Sequence, residues 1–246
     1  TTYFASDLAY HQDKLSRSSG LLLNILGAYH HGYVPRLRLG LEALGHDARR
    51  FEVILVQMVR LLRDGQPVTL SKRAGEYLTL GEIAREVGID ALRFFLNGRS
   101  PNAQLDFDLN AAKKKSPDNP VYLIQYAHAR ICSIQREKLS RNVHWPQEKQ
   151  SVGLGLEADQ KSRSLAVSLV LFPEALLSCA IRRSGHYLAN YLIDLARTFN
   201  GYYETHPILS EPDSSLAWSR FQLCLATQNI LAHGLGLLGI SAPDKM

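Results

Sequence analysis

Long helical patterns fill the second half of the chain and constrain its fold more than any other feature. Apolar residues recur there at helical spacing, and polar stretches separate the segments. Pro120 suits a helix start, where an amide hydrogen would be unsatisfied in any case. We predict helices over residues 120–140, 157–179, 185–204 and 212–238. The sequence therefore predicts a helical bundle in this half.

The first half of the chain mixes short apolar runs with helical spacing. Residues 21–27 form an apolar run that ends in glycine, which is typical of a strand buried on both faces of a parallel sheet. Helical spacing follows over 33–44, Gly45 provides a left-handed stop, and 51–57 reads as the next strand. This order of strand, helix and strand predicts an α/β unit, so the fold class of the chain is α/β plus all-α.

Local signals define the elements between these two parts. Asp64-Gly65 predicts a tight hairpin turn that leads towards the sequence Ser71-Lys72-Arg73. Thr79 and Glu82 have the spacing of a capping box, which predicts a helix start. Asp90 is expected to cap the following helix over 91–96.

Composition limits the class of protein. The 246 residues suffice for one or two domains, 46% are hydrophobic, and the net charge of +5 suits a polyanion such as nucleic acid. The three cysteines form no Cys-x-x-Cys pair, so we expect packed thiols without chemistry. We find no secretory signal and no run that reaches the length of a membrane span, and we expect a cytoplasmic protein with no membrane partner.

Eight sequence blocks in order resemble the C-terminal portion of arginyl-tRNA synthetase, a class I aminoacyl-tRNA synthetase. Coverage extends over essentially the whole chain. The blocks are residues 2–11, 27–36, 57–59 with 70–73, 90–95, 105–109, 118–122, 125–131 and 238–243.

The resemblance implies two domains. Residues 1–117 would form the C-terminal half of a Rossmann catalytic domain with a connecting region and the Lys-Met-Ser-Lys-type loop, and residues 118–246 a helical anticodon-binding domain. The family's His-Ile-Gly-His-type motif belongs to the first Rossmann half and is not found in the sequence. The chain also opens without Met, so we expect a fragment that lacks an N-terminal segment or chain and is inactive alone.

The implied reaction joins L-arginine to tRNA(Arg) at the expense of ATP, with Mg²⁺ as part of the ATP complex. No tightly bound metal is expected, and we expect a monomer. Two alternatives remain open: a tRNA-binding module without catalysis, or a helical scaffold that binds neither ligand.

Tyr3 and Asp7 are the implied arginine-binding residues. A carboxylate can accept two charge-assisted hydrogen bonds from a guanidinium group, while an aromatic ring covers its plane. Both residues lie where a strand is predicted to pass into a helix, so they could face one pocket. From spacing alone, Asp7 would be a helix-start residue stabilised by the helix dipole.

The implied ATP-binding residues are Gly27, His30, His31, Met58 and Lys72. The two histidines follow a predicted strand at its carboxyl end, where open α/β sheets bind ligands. A metal site would need further ligands at suitable spacing, which this segment does not offer.

Catalysis is assigned to His30, Ser71 and Lys72. A mobile lysine ammonium can stabilise the pyrophosphate leaving group by electrostatics rather than by proton transfer. Thr69 stands where the loop has its first lysine, and Tyr29 stands where the family most often has aspartate. Read alone, the basic loop could be a solvated surface turn.

Arg130, Tyr202 and Met246 are the expected tRNA contacts in the helical part. Unstacked anticodon bases need stacking partners and hydrogen bonds to their edges, which aromatic rings and arginine supply. Tyr122, Tyr126 and Ile131 are expected to pack instead. The run Lys113–Lys115 is interpreted as a solvated helix end, with phosphate contact as the alternative.

Overall fold

The chain divides into two compact units in the computed structural model, which describes residues 3–68, 78–145 and 159–246. The first unit comprises residues 1–60 with 100–106, and the second comprises 61–99 with 107–246. The second unit thus combines the connecting elements with the helical part. The predicted domain boundary after residue 117 stays a prediction.

A parallel pair of strands organises the first unit. Strands β1 and β2 pair in register along their whole length, with Leu22 opposite Phe51 and Gly27 opposite Val56. Gly45 follows the crossover helix with a positive φ of 82°. The predicted strand, helix and strand are therefore confirmed. The elements are α1 (Tyr3–Arg17), β1 (Leu22–Gly27), α2 (Val34–Ala43) and β2 (Phe51–Val56).

The core of the first unit lies on one face of these strands. Leu15, Leu37, Leu41 and Phe51 are buried there, and Leu22 packs against them. On the opposite face of β1, Leu23 is 42% exposed and Ile25 is 67% exposed. Successive side chains of a strand point to opposite faces, and no described element covers this second face. The expectation of a strand buried on both sides is wrong for the described part of the chain.

The Asp64-Gly65 turn forms the predicted hairpin. Strand β3 (Val59–Arg63) pairs antiparallel with β4 (Gln66–Pro67), and β5 (Leu105–Asp108) completes a three-stranded sheet in the order β4-β3-β5. Both turn residues have positive φ, as the type I′ form of a two-residue hairpin turn requires. Residues 69–77, which include the predicted Ser71-Lys72-Arg73 loop, lie outside the described residues.

Three short helices belong to the second unit: α3 (Leu80–Val87), α4 (Ile89–Asn97) and α5 (Leu109–Lys113). The capping box of Thr79 and Glu82 is confirmed, since each side chain bonds the other's backbone amide. The prediction for Asp90 is wrong. Gly88 precedes α4, and the Asp90 carboxylate instead accepts hydrogen bonds from Ser241 and Gln125.

The predicted helices of the second half are present, with one difference. The segment predicted as one helix over 157–179 contains two helices separated at Leu171. Pro173 lies in the first turn of the second and cannot donate a backbone hydrogen bond. The helices are α6 (Pro120–Ser140), α7 (Gln160–Val170), α8 (Phe172–Arg182), α9 (His186–Tyr203) and α10 (Ser214–Leu237).

Helix α9 forms the centre of this bundle and contacts α6, α7, α8 and α10. Its Leu192 and Phe199 are fully buried, as are Ile124 and Ile131 of α6. The predicted packing of Ile131 is confirmed.

One described stretch, Gln160–Arg182, is long and apolar enough to cross a membrane by length and composition alone. This corrects the expectation that no run reaches that length. In the structure the stretch comprises α7 and α8, and its side chains are mostly exposed, including Val170 at 75% and Ile181 at 70%.

Candidate functional site

The Asp7 carboxylate and the Tyr33 hydroxyl form the centre of the site in the first unit. Tyr33 Oη donates a 2.6 Å hydrogen bond to Asp7 Oδ2. Burial raises the pKa of Tyr33 to about 12, and the adjacent Asp7 adds to the shift. Among the described residues, Asp7 Oδ1 has no hydrogen-bond partner. The phenol thus stays a donor at neutral pH and leaves one carboxylate oxygen for a cationic ligand.

Tyr3 lies one helical turn before Asp7 on α1, so the two side chains share one side of the helix. Its side chain is 93% exposed. Because α1 already begins at Tyr3, the predicted passage from strand to helix between Tyr3 and Asp7 is wrong, and Asp7 is no helix cap. An exposed ring beside a carboxylate remains suited to covering a guanidinium plane.

His11 holds the backbone of Asp7 through a hydrogen bond. The sequence did not predict it as a site residue. Its buried ring donates from Nδ1 to the backbone carbonyl of Asp7 at 2.7 Å, and its Nε2 accepts from Asn24 Nδ2 at 2.8 Å. The carbonyl can only accept, so this partner fixes the tautomer. The sequence signal was Asn24, a polar residue inside the apolar run of β1.

Gly27, His30 and His31 lie at the carboxyl end of β1, where the strand passes into a short 3-10 turn. The His30 ring is partly buried, with its centroid 4.2 Å from that of Tyr29 and 6.1 Å from that of Tyr33. Tyr33 therefore lies between Asp7, which is predicted to bind arginine, and His30, which is predicted to bind ATP.

Two further predicted ATP-binding residues are exposed in the first unit. His31 is exposed, and Met58 is 67% exposed just beyond the carboxyl end of β2. Since β1 and β2 are parallel, these residues and His30 share one edge of the sheet. Ser71 and Lys72 lie outside the described residues, so their roles stay predictions.

Arg130 forms the centre of a second site, in the helical bundle. Its guanidinium carbon lies 4.7 Å from the ring centroid of Tyr126 and 4.9 Å from that of Tyr203. It also donates to Asn200 Oδ1 at 2.9 Å and to Tyr126 Oη at 3.1 Å. These contacts hold a planar cation between two aromatic rings.

A cavity of about 210 Å³ opens at Arg130 and is lined by Tyr126, Tyr203 and Met246. Two of the predicted tRNA contacts, Arg130 and Met246, thus border one cavity. Tyr126 is 38% exposed and stacks on Tyr122 with ring centroids 5.9 Å apart. It therefore packs as predicted and also lines the cavity.

Tyr202 is fully buried, and its ring stacks on His206. Burial raises the pKa of its hydroxyl. The prediction of Tyr202 as a tRNA contact is wrong in this conformation, because the ring has no exposed face. Its neighbour Tyr203 lines the cavity instead, since consecutive helical residues point about 100° apart.

Glu86 forms ion pairs with two cationic side chains, one of which belongs to the run Lys113–Lys115. It accepts from Arg63 at 2.7 Å and from Lys113 at 2.8 Å, and these bonds lower the pKa of Glu86 to about 2. Lys113 is therefore paired rather than simply solvated. Lys114 and Lys115 are exposed, as predicted for a solvated helix end.

The second half of the chain matches the model of a known protein family. The model of the DALR anticodon binding domain matches residues 124–246, which include most of helix α6, helices α7 to α10 and the Arg130 cavity. The chain belongs to the DALR anticodon-binding domain family.

Relatives of the DALR-containing chain agree with the resemblance seen in the sequence. The chain is 44% identical to the arginine–tRNA ligase of Thioalkalivibrio sulfidiphilus over 100% of its own length and 42% of the relative. It is 45% identical to the enzyme of that name from Carboxydothermus hydrogenoformans, of which it covers 44%. The resemblance to arginyl-tRNA synthetases is confirmed, and the chain spans less than half the length of these relatives.

A solved structure supports the fold of the DALR part and of the segment before it. The arginyl-tRNA synthetase of Thermus thermophilus superposes with a TM-score of 0.70 at 28% identity. This match covers 92% of the present chain and 41% of the Thermus chain.

Proposed function

We propose that the protein acts as an arginyl-tRNA synthetase, which activates L-arginine with ATP and transfers it to tRNA(Arg). The observation that carries this proposal is the Asp7 carboxylate, fixed by Tyr33 beside His30 at the carboxyl edge of the parallel strands. The identity to arginine–tRNA ligases along the whole chain supports it.

Arginine would bind at the Asp7 carboxylate. Oδ2 accepts from Tyr33, which leaves Oδ1 and the remaining lone pair of Oδ2 for guanidinium donors. Tyr3 would cover the guanidinium plane from one turn away on α1. His11 holds the backbone beneath Asp7, so the carboxylate keeps its position when arginine leaves.

ATP would bind with Mg²⁺ at the same edge, against Gly27, His30, His31 and Met58. Lys72 would stabilise the departing pyrophosphate, and Ser71 would permit close backbone approach. The carboxylate of arginine would attack the α-phosphorus of ATP, which forms arginyl-adenylate and releases pyrophosphate. The arginyl group then passes to a terminal ribose hydroxyl of the tRNA, and AMP leaves.

Residues 1–117 would supply the second half of a class I Rossmann catalytic domain. The exposed second face of β1 and the coverage of less than half of the relatives support this assignment. We infer that activity needs the remaining part of such an enzyme, and we assign the protein to the cytoplasm as a monomer.

The Arg130 cavity would bind an anticodon base of tRNA(Arg). Tyr126 and Tyr203 offer ring faces, the guanidinium offers donors, and Met246 closes the cavity with an adaptable apolar side chain. This site alone would support the alternative function of a tRNA-binding module.

Arginine-dependent exchange of pyrophosphate into ATP, measured with tRNA present, tests the proposal. The polypeptide encoded by the complete gene should show exchange, and the present 246-residue chain should bind tRNA without exchange. Lys72→Ala in the complete polypeptide should slow exchange far more than it weakens tRNA binding. Absence of exchange in the complete polypeptide, with tRNA binding intact, would instead establish the binding module.

A further inference from the structure

A cluster of side chains that could ligate a metal joins α6 to the C-terminal segment, outside both sites described above. His128 and Cys132 are one helical turn apart, and Asp244 comes from the C-terminal segment. His128 Nδ1 lies 3.7 Å from Cys132 Sγ, which lies 3.5 Å from Asp244 Oδ1. The His128 and Cys132 side chains are buried, at 4% and 5% exposure.

We propose that His128, Cys132 and Asp244 form a binding site for a soft divalent cation of the Zn²⁺ class. Tetrahedral zinc with bonds of about 2.0–2.3 Å separates neighbouring nitrogen, sulfur and oxygen ligands by about 3.6 Å. The two observed separations match this spacing, and the Pro243 carbonyl, which lies 3.0 Å from His128 Nδ1, would turn aside to admit the cation. Three protein ligands leave one position for water.

Two neighbours are placed to support the ligands. Gln228 Nε2 donates to Cys132 Sγ at 3.0 Å, and this bond partly offsets the rise in the pKa of the thiol that burial and Asp244 cause. Arg136 donates to the backbone carbonyl of Asp244 at 2.9 Å, which holds the C-terminal segment against α6. The thiolate selects Zn²⁺, Co²⁺ or Cd²⁺ over Mg²⁺ and Ca²⁺.

Hydrogen bonds satisfy the same atoms when the ion is absent. His128 Nδ1 donates to the Pro243 carbonyl at 3.0 Å, and the Cys132 thiol donates to Asp244 Oδ1. On binding, the thiol proton goes to solvent and the imidazole proton moves to Nε2, so the cluster releases one proton for each cation bound. The cation thus competes with these hydrogen bonds, and the occupancy of the site depends on the cation concentration.

Cation binding would also order the end of the chain. Met246 follows Asp244 by two residues and lines the Arg130 cavity. If the proposed function holds, an occupied site should therefore strengthen tRNA binding. The cation site itself does not depend on that function.

Titration of the purified, untagged protein with Co²⁺ tests the site. We expect one Co²⁺ per chain, with an absorption band of thiolate-to-cobalt charge transfer that Zn²⁺ removes. Cys132→Ser should abolish the band, and Asp244→Asn should weaken Co²⁺ binding by about tenfold or more. Cys179→Ser is the matched control and should leave the band unchanged, because this thiol lies on α8.

A band that persists in Cys132→Ser, or no band in the wild type, would overturn the proposal. Asp244 is exposed, so its variant should fold even where a change at a buried position does not. Equal Co²⁺ affinity in Asp244→Asn and wild type would also overturn it. Co²⁺ binding is read directly, so this result is independent of whether arginine is activated.

Discussion

Tyr33 donates a 2.6 Å hydrogen bond to the carboxylate of Asp7, although 26 residues separate them in the chain. The bond joins the residue before α2 to the second turn of α1. It fixes one carboxylate oxygen and leaves the other for a ligand. Tyr33 is thus a positioning residue for the proposed guanidinium site.

Tyr33→Phe tests this positioning in the complete polypeptide. Removing a hydrogen bond to a charged group costs about 1.5–3 kcal/mol, so the KM for arginine should rise about tenfold or more while the KM for ATP stays within about twofold. Tyr10→Phe, on an exposed position of α1, is the matched control. Equal increases in both KM values would show that Tyr33 supports only the fold.

Glu86 predicts how stability depends on pH. Its bonds to Arg63 and Lys113 lower its folded pKa from 4.5 to about 2, so the folded state favours the charged form. This stabilisation is present above pH 4.5 and is lost as the pH falls towards 2. Urea midpoints at pH 6 and pH 3 should differ less in Glu86→Gln than in the wild type. Glu42→Gln, on α2, should keep the wild-type difference, and an unchanged difference in Glu86→Gln would refute the linkage.

Two glycines of α10 offer a matched pair for packing. A Cβ atom at Gly234 would lie 2.6 Å from Leu192 Cδ2, whereas at Gly236 it would meet nothing within 4 Å. Gly234→Ala should therefore lower the free energy of unfolding by about 1–3 kcal/mol. Gly236→Ala should raise it by up to about 1 kcal/mol, because alanine favours helix. Denaturant unfolding measures both, and the reverse order would contradict this packing.

Arg130→Lys separates planar stacking from charge in the proposed anticodon site. Lysine keeps the positive charge but lacks the planar guanidinium group that lies between the Tyr126 and Tyr203 rings. Affinity for tRNA(Arg) should fall about tenfold, with little change in the dependence on salt. Arg197→Lys, on an exposed position of α9, should leave affinity unchanged. Unchanged affinity in Arg130→Lys would mean that Arg130 contributes charge alone.

Local sequence signals predicted much of the fold. Helix α6 begins and ends where predicted, because Asn119 caps it and Pro120 occupies its first turn. The Asp64-Gly65 hairpin likewise depends on residues adjacent in the chain. The break at Leu171 had a local signal in Phe172-Pro173, which helical periodicity obscured.

Features that depend on distant contacts could not be predicted in this way. Aspartate is a residue type that often caps helices, but the Asp90 carboxylate instead accepts a hydrogen bond from Ser241, which lies 151 residues later. Tyr202 and Tyr203 are adjacent residues of the same type, so the sequence cannot distinguish them. Only the packing around α9 buries Tyr202. Asp244 reaches Cys132 across 112 residues, so the cation cluster has no local pattern.

Arginine-dependent pyrophosphate exchange by Asp7→Asn, in the complete polypeptide with tRNA(Arg) present, tests the central claim most directly. An amide loses the charge that a guanidinium requires, so kcat/KM for arginine should fall about 100-fold or more while the Kd for tRNA(Arg) is unchanged. Exchange by Asp7→Asn at the wild-type rate would show that this carboxylate does not bind arginine.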